Sequence, residues 1–255
     1  MRNIVVIGLV FAVQFAIGQS MTFSSLNHVP NPSFEDKDTC PAYTAQLYTS
    51  QEWYSPTANT PDYFHSCLNE SWYDSPDVPV NRFGSEPAFF GQAYGGIYAL
   101  YSSPNGREYL SVKINDTLAA GRTYCIEFFV TLADSSWGGI NYIGAHFSTT
   151  PDTIYCLPCP ISFSSNLPFQ PQIVEETVIS DTTGWVKING SFVASGGECY
   201  LTIGVFKPDS LLTYDSIQGD GSSRGAYYYI DDVAVWQCDT PAIVYPEIQF
   251  FPNPS

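Results

Sequence analysis

The residues of this chain best equipped for chemistry are carboxylates in two short stretches near its opposite ends. The late stretch, Ala226 to Trp236, reads Ala-Tyr-Tyr-Tyr-Ile-Asp-Asp-Val-Ala-Val-Trp. Nearly every residue there is aromatic, β-branched or Ala, which predicts a β-strand. Apolar side chains fall on both faces, so the strand should be central and covered on both sides. Yet Asp231 and Asp232 stand in its middle, and a buried ionised carboxylate is costly unless it is compensated. Lys and Arg are scarce, nine against 25 acids. A hard cation suits the position better, and calcium takes its oxygen ligands from carboxylates and backbone carbonyls. The early stretch, Val29-Pro-Asn-Pro-Ser-Phe-Glu-Asp36, places Glu35 and Asp36 beside a core-type Phe34. A first and a last strand lying side by side would bring Glu35 to Asp231 or Asp232. The alternative is a β-bulge in which the two Asp side chains accept bonds from nearby backbone N–H groups.

Catalytic signatures are not read. No Gly-x-Ser-x-Gly elbow, no His-Glu-x-x-His and no phosphate-binding Gly-x-x-x-x-Gly-Lys loop is read. His28, His65 and His146 have no partner spacing, and the acids are too numerous for a glycosidase pair to stand out. The expectation is a protein that is not an enzyme.

Aromatic residues are the second candidate group. Thr39 to Pro87 reads as a Pro-rich loop region, yet it holds Trp53, Tyr54, Tyr63, Phe64, Trp72 and Tyr73. Trp137 stands in Ser135-Ser-Trp-Gly-Gly139, between small residues. Aromatic rings stack on the C–H faces of sugars, which makes Trp53, Trp72 and Trp137 candidate ligand-binding residues. The competing role for most of these rings is to pin an irregular loop onto the body of the protein. Trp185 and Trp236 fall in strand-like runs and read as core. The acids of the loop Lys207 to Gly225 lack EF-hand spacing and read as solvated.

The formal charge of −16 argues against nucleic acid and anionic membranes, which need basic patches. It also disfavours sulfated or uronic polysaccharides. Residues 1–18 read as a signal peptide: Arg2, an apolar run from Ile4 to Ile17, then Ala16-Ile17-Gly18 as the cleavage pattern. No second long apolar run follows, so the mature chain is expected to lack a membrane-spanning helix. In an oxidising compartment the seven cysteines become disulfide candidates. Cys40 and Cys67 bracket a loop and are the expected pair. Cys156-Leu-Pro-Cys159 reads as a tight disulfide loop; a redox motif or half a zinc site would need flanking elements that the sequence lacks. Cys125 and Cys199 read as buried thiols or a cross-sheet bridge.

The elements that must hold these groups are short strands. They are read at Ala93–Tyr101, Glu108–Ile114 (an edge-type alternation), Arg122–Ala133 and Asn141–Ser148. Trp185–Ala194 and Cys199–Phe206 read as a hairpin around Ser195-Gly-Gly197. No segment keeps a 3.6-residue apolar period. The fold class is all-β, a sandwich or barrel.

Asn31-Pro-Ser-Phe-Glu35 early and Tyr229-Ile-Asp-Asp-Val233 late resemble the galactose-binding-like jelly rolls of carbohydrate-binding modules. The resemblance implies a jelly-roll β-sandwich of two antiparallel sheets. It also implies a structural calcium held by Glu35 and Asp231, with Asp232 as substitute. Further motifs resemble an exported version of this module in surface proteins of gliding Gram-negative bacteria: Cys40-Pro41, Trp53 to Thr57, Thr60 to Phe64, Cys67, and Gly91 to Gly96. The likeness runs over residues 29–236, within a domain expected at 19–238. The segment 239–255 is linker-like, and Phe250-Phe-Pro-Asn-Pro-Ser255 resembles the opening of a type IX secretion sorting domain, which implies that machinery as a partner. The expected function is a non-catalytic binding module of a secreted or cell-surface protein that takes a neutral glycan. The alternatives are a structural or adhesive module that contacts another surface protein and, third, a glycoside hydrolase.

Overall fold

A computed structural model describes residues 27–68, 75–153, 166–217 and 225–238. The signal peptide, Trp72, the Cys156–Cys159 loop and the 239–255 segment lie outside the described residues. Fourteen strands occur among the described residues: β1 (Trp53–Tyr54), β2 (Asp62–His65), β3 (Val80–Asn81), β4 (Gly84–Ser85), β5 (Ala93–Tyr101), β6 (Leu110–Lys113), β7 (Thr123–Leu132), β8 (Gly138–Ile140), β9 (Ile143–Ser148), β10 (Ile173–Val174), β11 (Val186–Val193), β12 (Tyr200–Val205), β13 (Tyr214–Ser216) and β14 (Gly225–Gln237). No α-helix occurs among them.

The strands form two five-stranded antiparallel sheets, ordered β1-β6-β12-β9-β10 and β11-β7-β14-β5-β2. They pack as a jelly-roll β-sandwich. Two small ribbons, β3-β4 and β8-β13, stand apart from the sheets. Leu110, Val112, Leu201, Ile203 and Ala145 of the first sheet meet Ile97, Ile126, Phe128, Tyr228 and Ile230 of the second in one apolar interior. Burying each large apolar side chain contributes about 1.5–3 kcal/mol.

β14 is the centre of the second sheet, paired with β7 on one side and β5 on the other. Its apolar residues on both faces follow from that place. Tyr228 and Ile230 face the interior. Tyr227 and Tyr229 face outward into a second aromatic cluster with Phe64, Phe83 and Tyr94. The Phe83 and Tyr227 rings stack at 3.8 Å. The β3-β4 ribbon thus roofs the outer face, and Phe64 pins the loop region to the sandwich as a core residue.

Two strand readings need correction. β6 is not an edge: β1 and β12 flank it, and Ser111 on its polar face bonds the Thr202 hydroxyl at 2.6 Å. β11 and β12 are not a hairpin, because they belong to different sheets. Ser195-Gly-Gly197 instead carries the chain across the end of the sandwich. Gly196 and Gly197 lie at φ +98° and +96°, and the Glu198 carboxylate accepts the Ser195 and Gly196 N–H groups at 2.7 and 2.8 Å.

Candidate functional site

Two arrangements could do chemistry or bind: an acidic knot beside β14 and an aromatic cleft at the end of β5 and β14. The knot forms where β14 loses its neighbour. β5 pairs with β14 as far as Ile230. Beyond that point the N-terminal segment lies along it, with His28 N–H donating to Val235 O and Val233 N–H to Pro32 O. The segment bends at Asn31 (φ 46°) and Phe34 (φ 61°). Phe34 is buried and stacks on Trp53 at 4.7 Å, which leaves Glu35 to turn toward β14.

The register of β14 against β7 shifts between Asp231 and Ala234, with Asp232 at φ 49°. This is the bulge anticipated as the alternative, and its backbone bonds are present. Asp231 is 0% exposed. Its Oδ1 accepts Asp232 N–H at 2.7 Å and its Oδ2 accepts Phe90 N–H at 2.9 Å. Glu35 Oε1 accepts Gln92 N–H at 2.7 Å. Asp232 turns away and accepts the Ser33 hydroxyl at 3.2 Å. Burial pushes the Asp231 carboxyl up to about 8; Asp232 and Glu35 push it the same way, and the two N–H bonds oppose them. Burial also raises Asp232.

Glu35 and Asp231 are therefore brought to one place, as the sequence suggested, and Asp232 flanks them. Oxygen donors around an uncompensated buried carboxylate fit a hard cation in kind. Among the described residues no three or more of His, Cys, Asp and Glu gather to hold a metal. Two carboxylates would thus need main-chain carbonyls and water to reach the roughly six to eight oxygens calcium takes.

The aromatic cleft is lined by Leu100, Tyr101, Ser102, Trp137, Tyr214 and Gly225, with a volume of about 260 Å³. Trp137 is 45% and Tyr214 43% exposed. Both rings flank the β8-β13 ribbon, in which Tyr214 pairs with Ile140. Ser136 fixes the approach to Trp137: its Oγ accepts Tyr227 N–H at 3.1 Å and donates to Tyr227 O at 3.3 Å. Trp137 N–H donates to Gly225 O, and Ile217 N–H donates to Trp137 O. Tyr228, from the centre of β14, reaches under β8, where its hydroxyl accepts Ile140 N–H at 2.8 Å and donates to Ile179 O at 2.7 Å. A Cβ on Gly138 would lie 2.7 Å from Cζ of Tyr214, so the phenol ring rests on bare backbone. The main chain of Trp137 is held in place although small residues flank it.

The other tryptophan candidates fare differently. Trp53 is 2% exposed, and its indole N–H donates to Asn31 O. It is a core residue with no face for a sugar, because Phe34 occupies the stacking position. Trp72 lies outside the described residues. Trp185 is half-buried rather than core, with its indole N–H on Pro87 O. Tyr101 and Tyr214 were not singled out in the sequence. Tyr214 sat in a segment read only for its acids, and no local spacing marks a ring that becomes a wall through tertiary pairing.

Cys40 and Cys67 form the expected disulfide, with Cα atoms 6.0 Å apart. Cys125 bridges Cys238, not Cys199, and so ties β7 to the end of β14 within one sheet. The register places Trp236 opposite Cys125, and Cys238 N–H donates to Thr123 O. Cys199 is a part-buried thiol.

Other polar groups are enclosed. Asp62 accepts the Tyr227 hydroxyl and Ala45 N–H, and Glu108 accepts Tyr98 N–H at 2.9 Å. Burial raises Asp62 to about 6 and Glu108 to about 8, and the charge of Asp62 adds to the rise at Glu108. His146 Nδ1 lies 2.6 Å from Asp152 Oδ2, opposite Thr202 in the sheet, but Thr202 and Ser111 are both 0% exposed. One sequence reading needs correction: Gly221-Ser-Ser-Arg-Gly225 does spell Gly-x-Ser-x-Gly. Gly225 opens β14, and the other four residues lie outside the described residues.

No protein-family pattern matches the chain, and no curated protein matches it. Solved structures of similar fold include three with low identity. One is the arabinose-bound α-L-arabinofuranosidase MgGH51, 12% identical with a TM-score of 0.41, over 83% of this chain and 26% of that one. A Stig cyclase from Fischerella sp. TAU is 11% identical with a TM-score of 0.45, over 82% and 96%. The CBM22-1–GH10 modules of Clostridium thermocellum xylanase 10B, complexed with xylohexaose, are 11% identical with a TM-score of 0.41, over 87% and 30%. The chain therefore spans under a third of the arabinofuranosidase and of the xylanase chain. The likeness is too distant to carry function to this chain.

Proposed function

We propose that the chain is a non-catalytic binding module of a secreted or cell-surface protein that takes a neutral glycan in the Trp137 cleft. The observation that carries the reading is a pair of exposed rings, Trp137 and Tyr214, carried on main chain that is hydrogen-bonded in place, around a cavity with no charged lining residue among the described residues. Aromatic rings on a held main chain offer stacking area at little conformational cost. The absence of a cationic group among the described lining residues and the net charge of −16 both work against anionic sugars. The two disulfides suit an oxidising compartment. Export through a signal peptide and the type IX machinery belongs to the same reading.

A structural calcium completes the proposal. Glu35 and Asp231 would hold it, with Asp232 beside them, and its charge would offset the carboxylates buried where the N-terminal segment meets β14. The chain's own part is to hold both acids on the loop carrying Phe90 and Gln92.

A glycan array probed with the full chain tests the reading. The expected result is retention on neutral glycans that is lost in Trp137→Ala. An array silent for every glycan would contradict it and favour the adhesive alternative.

A further inference from the structure

We infer that the Trp137 cleft takes one neutral pyranose ring at the end of a glycan, gripped by its C–H faces, rather than a run of linked sugars along a chain. The inference rests on the glycan-binding reading and adds the size and kind of ligand.

Size is the first observation. Pockets for drug-sized ligands measure roughly 300–1,000 Å³, and this one is about 260 Å³, near the space of a single sugar ring. Part of its wall is backbone: Gly225 lines it, and a Cβ there would lie 1.9 Å from Leu100 O on the paired strand β5.

The second observation is how the rings are grouped. Trp137 precedes β8, Tyr214 opens β13 and Tyr101 closes β5, so three rings converge on one hollow. A groove that reads a polymer would need stacking platforms strung out along a sheet face. The other exposed aromatics among the described residues, Tyr43, Tyr48, Phe89 and Phe90, do not line this cleft.

The third is chemistry. Among the described residues, the polar side-chain groups on the wall are the Ser102 hydroxyl, the phenols of Tyr101 and Tyr214 and the Trp137 indole N–H. With so few donors and acceptors, the site distinguishes sugars by the shape of their apolar faces rather than hydroxyl by hydroxyl. A carboxylate on the sugar would meet no counter-charge among the described lining residues.

The test is a competition assay. The full chain is bound to its best array glycan, and three competitors are titrated: the methyl glycoside of that glycan's terminal sugar, a trisaccharide of its internal repeat, and methyl glucuronide. The methyl glycoside should displace the protein at a concentration within about tenfold of the whole glycan, and the glucuronide should not displace it. Tyr214→Ala, on the exposed β13 ribbon, should weaken methyl glycoside and glycan together. Displacement by the trisaccharide alone, with glycan binding still lost in Tyr214→Ala, would overturn the single-ring inference and leave the glycan reading standing. A chain that binds no glycan overturns both.

Discussion

Glu35 and Asp231 grip the same short loop from two sides: Gln92 N–H donates to Glu35 Oε1 at 2.7 Å and Phe90 N–H to Asp231 Oδ2 at 2.9 Å. One acid comes from the segment that replaces β5 beside β14, the other from the bulge of β14 itself. The loop between β4 and β5 is thus tied to both the N-terminal segment and the last strand. The arrangement gathers a buried carboxyl, Asp231, and a part-buried one, Glu35, at an exposed loop, and its stability depends on what neutralises them.

Calcium should stabilise the folded protein. A ligand at about 100 times its Kd contributes about 2.7 kcal/mol, which is several degrees of melting temperature in a domain of this size. Melting with calcium and then with excess chelator should show that drop. Asp231→Ala and Glu35→Ala should melt at the same temperature in both conditions. An unchanged melt of the unmodified chain on chelation would sink the metal proposal.

Gly91 sits between the two amides at φ +71°, and a Cβ there would lie 2.2 Å from Glu35 Oε1. Gly91→Ala should expel the Glu35 carboxylate from Gln92 N–H and strain the backbone. The expected loss is about 1–3 kcal/mol, read by denaturant unfolding, with a weaker calcium response. A variant as stable as the parent would show that the loop can relax away from Glu35.

The buried acids Asp62 and Glu108 predict the pH dependence. Their folded values, about 6 and about 8, lie above the usual 3.8 and 4.5. The folded protein therefore keeps protons that the unfolded chain has released, and stability falls as pH rises. The decline should run from about pH 4 to about pH 8 and level off above. Glu108→Gln still accepts Tyr98 N–H but cannot ionise. In saturating calcium it should melt several degrees higher than the parent at pH 8 and nearly the same at pH 4. A parallel pair of pH profiles would contradict the assignment.

The Cys125–Cys238 bridge closes a span of 113 residues. A Cys125→Ala, Cys238→Ala double variant should lose about 2–5 kcal/mol, and added reductant should have less effect on it than on the parent. Cys199→Ser, at an unbridged thiol, should change the melting temperature little.

Much of the fold was legible because strand period and turn residues are local. Ala226–Trp236, Ala93–Tyr101 and Arg122–Ala133 all became strands within a residue or two of their predicted ends. The misplaced features depend on long-range partners. The crossing at Ser195–Gly197 looks like a hairpin turn until β11 and β12 find different sheets. Trp53 looks like a loop ring until Phe34 stacks on it. Asp231 could be read as an anomaly in a strand, and Glu35 as its neighbour, because two acidic motifs are visible in the chain. Tyr214 could not be read, because its exposure beside Trp137 exists only once β13 pairs with β8. Cys238 escaped notice for the same reason, since its nearness to Cys125 follows from the register of β14 on β7.

The central claim is that the Trp137 ring holds a sugar. Calorimetric titration of the best array glycan into the full chain, Trp137→Phe and Trp137→Ala tests it most directly, with thermal melts confirming that each variant folds. The account predicts weaker binding in Trp137→Phe and a loss of at least about tenfold in Trp137→Ala, equivalent to 1.4 kcal/mol or more of stacking, with melting unchanged. Equal affinity in all three proteins would place the glycan elsewhere and contradict the account.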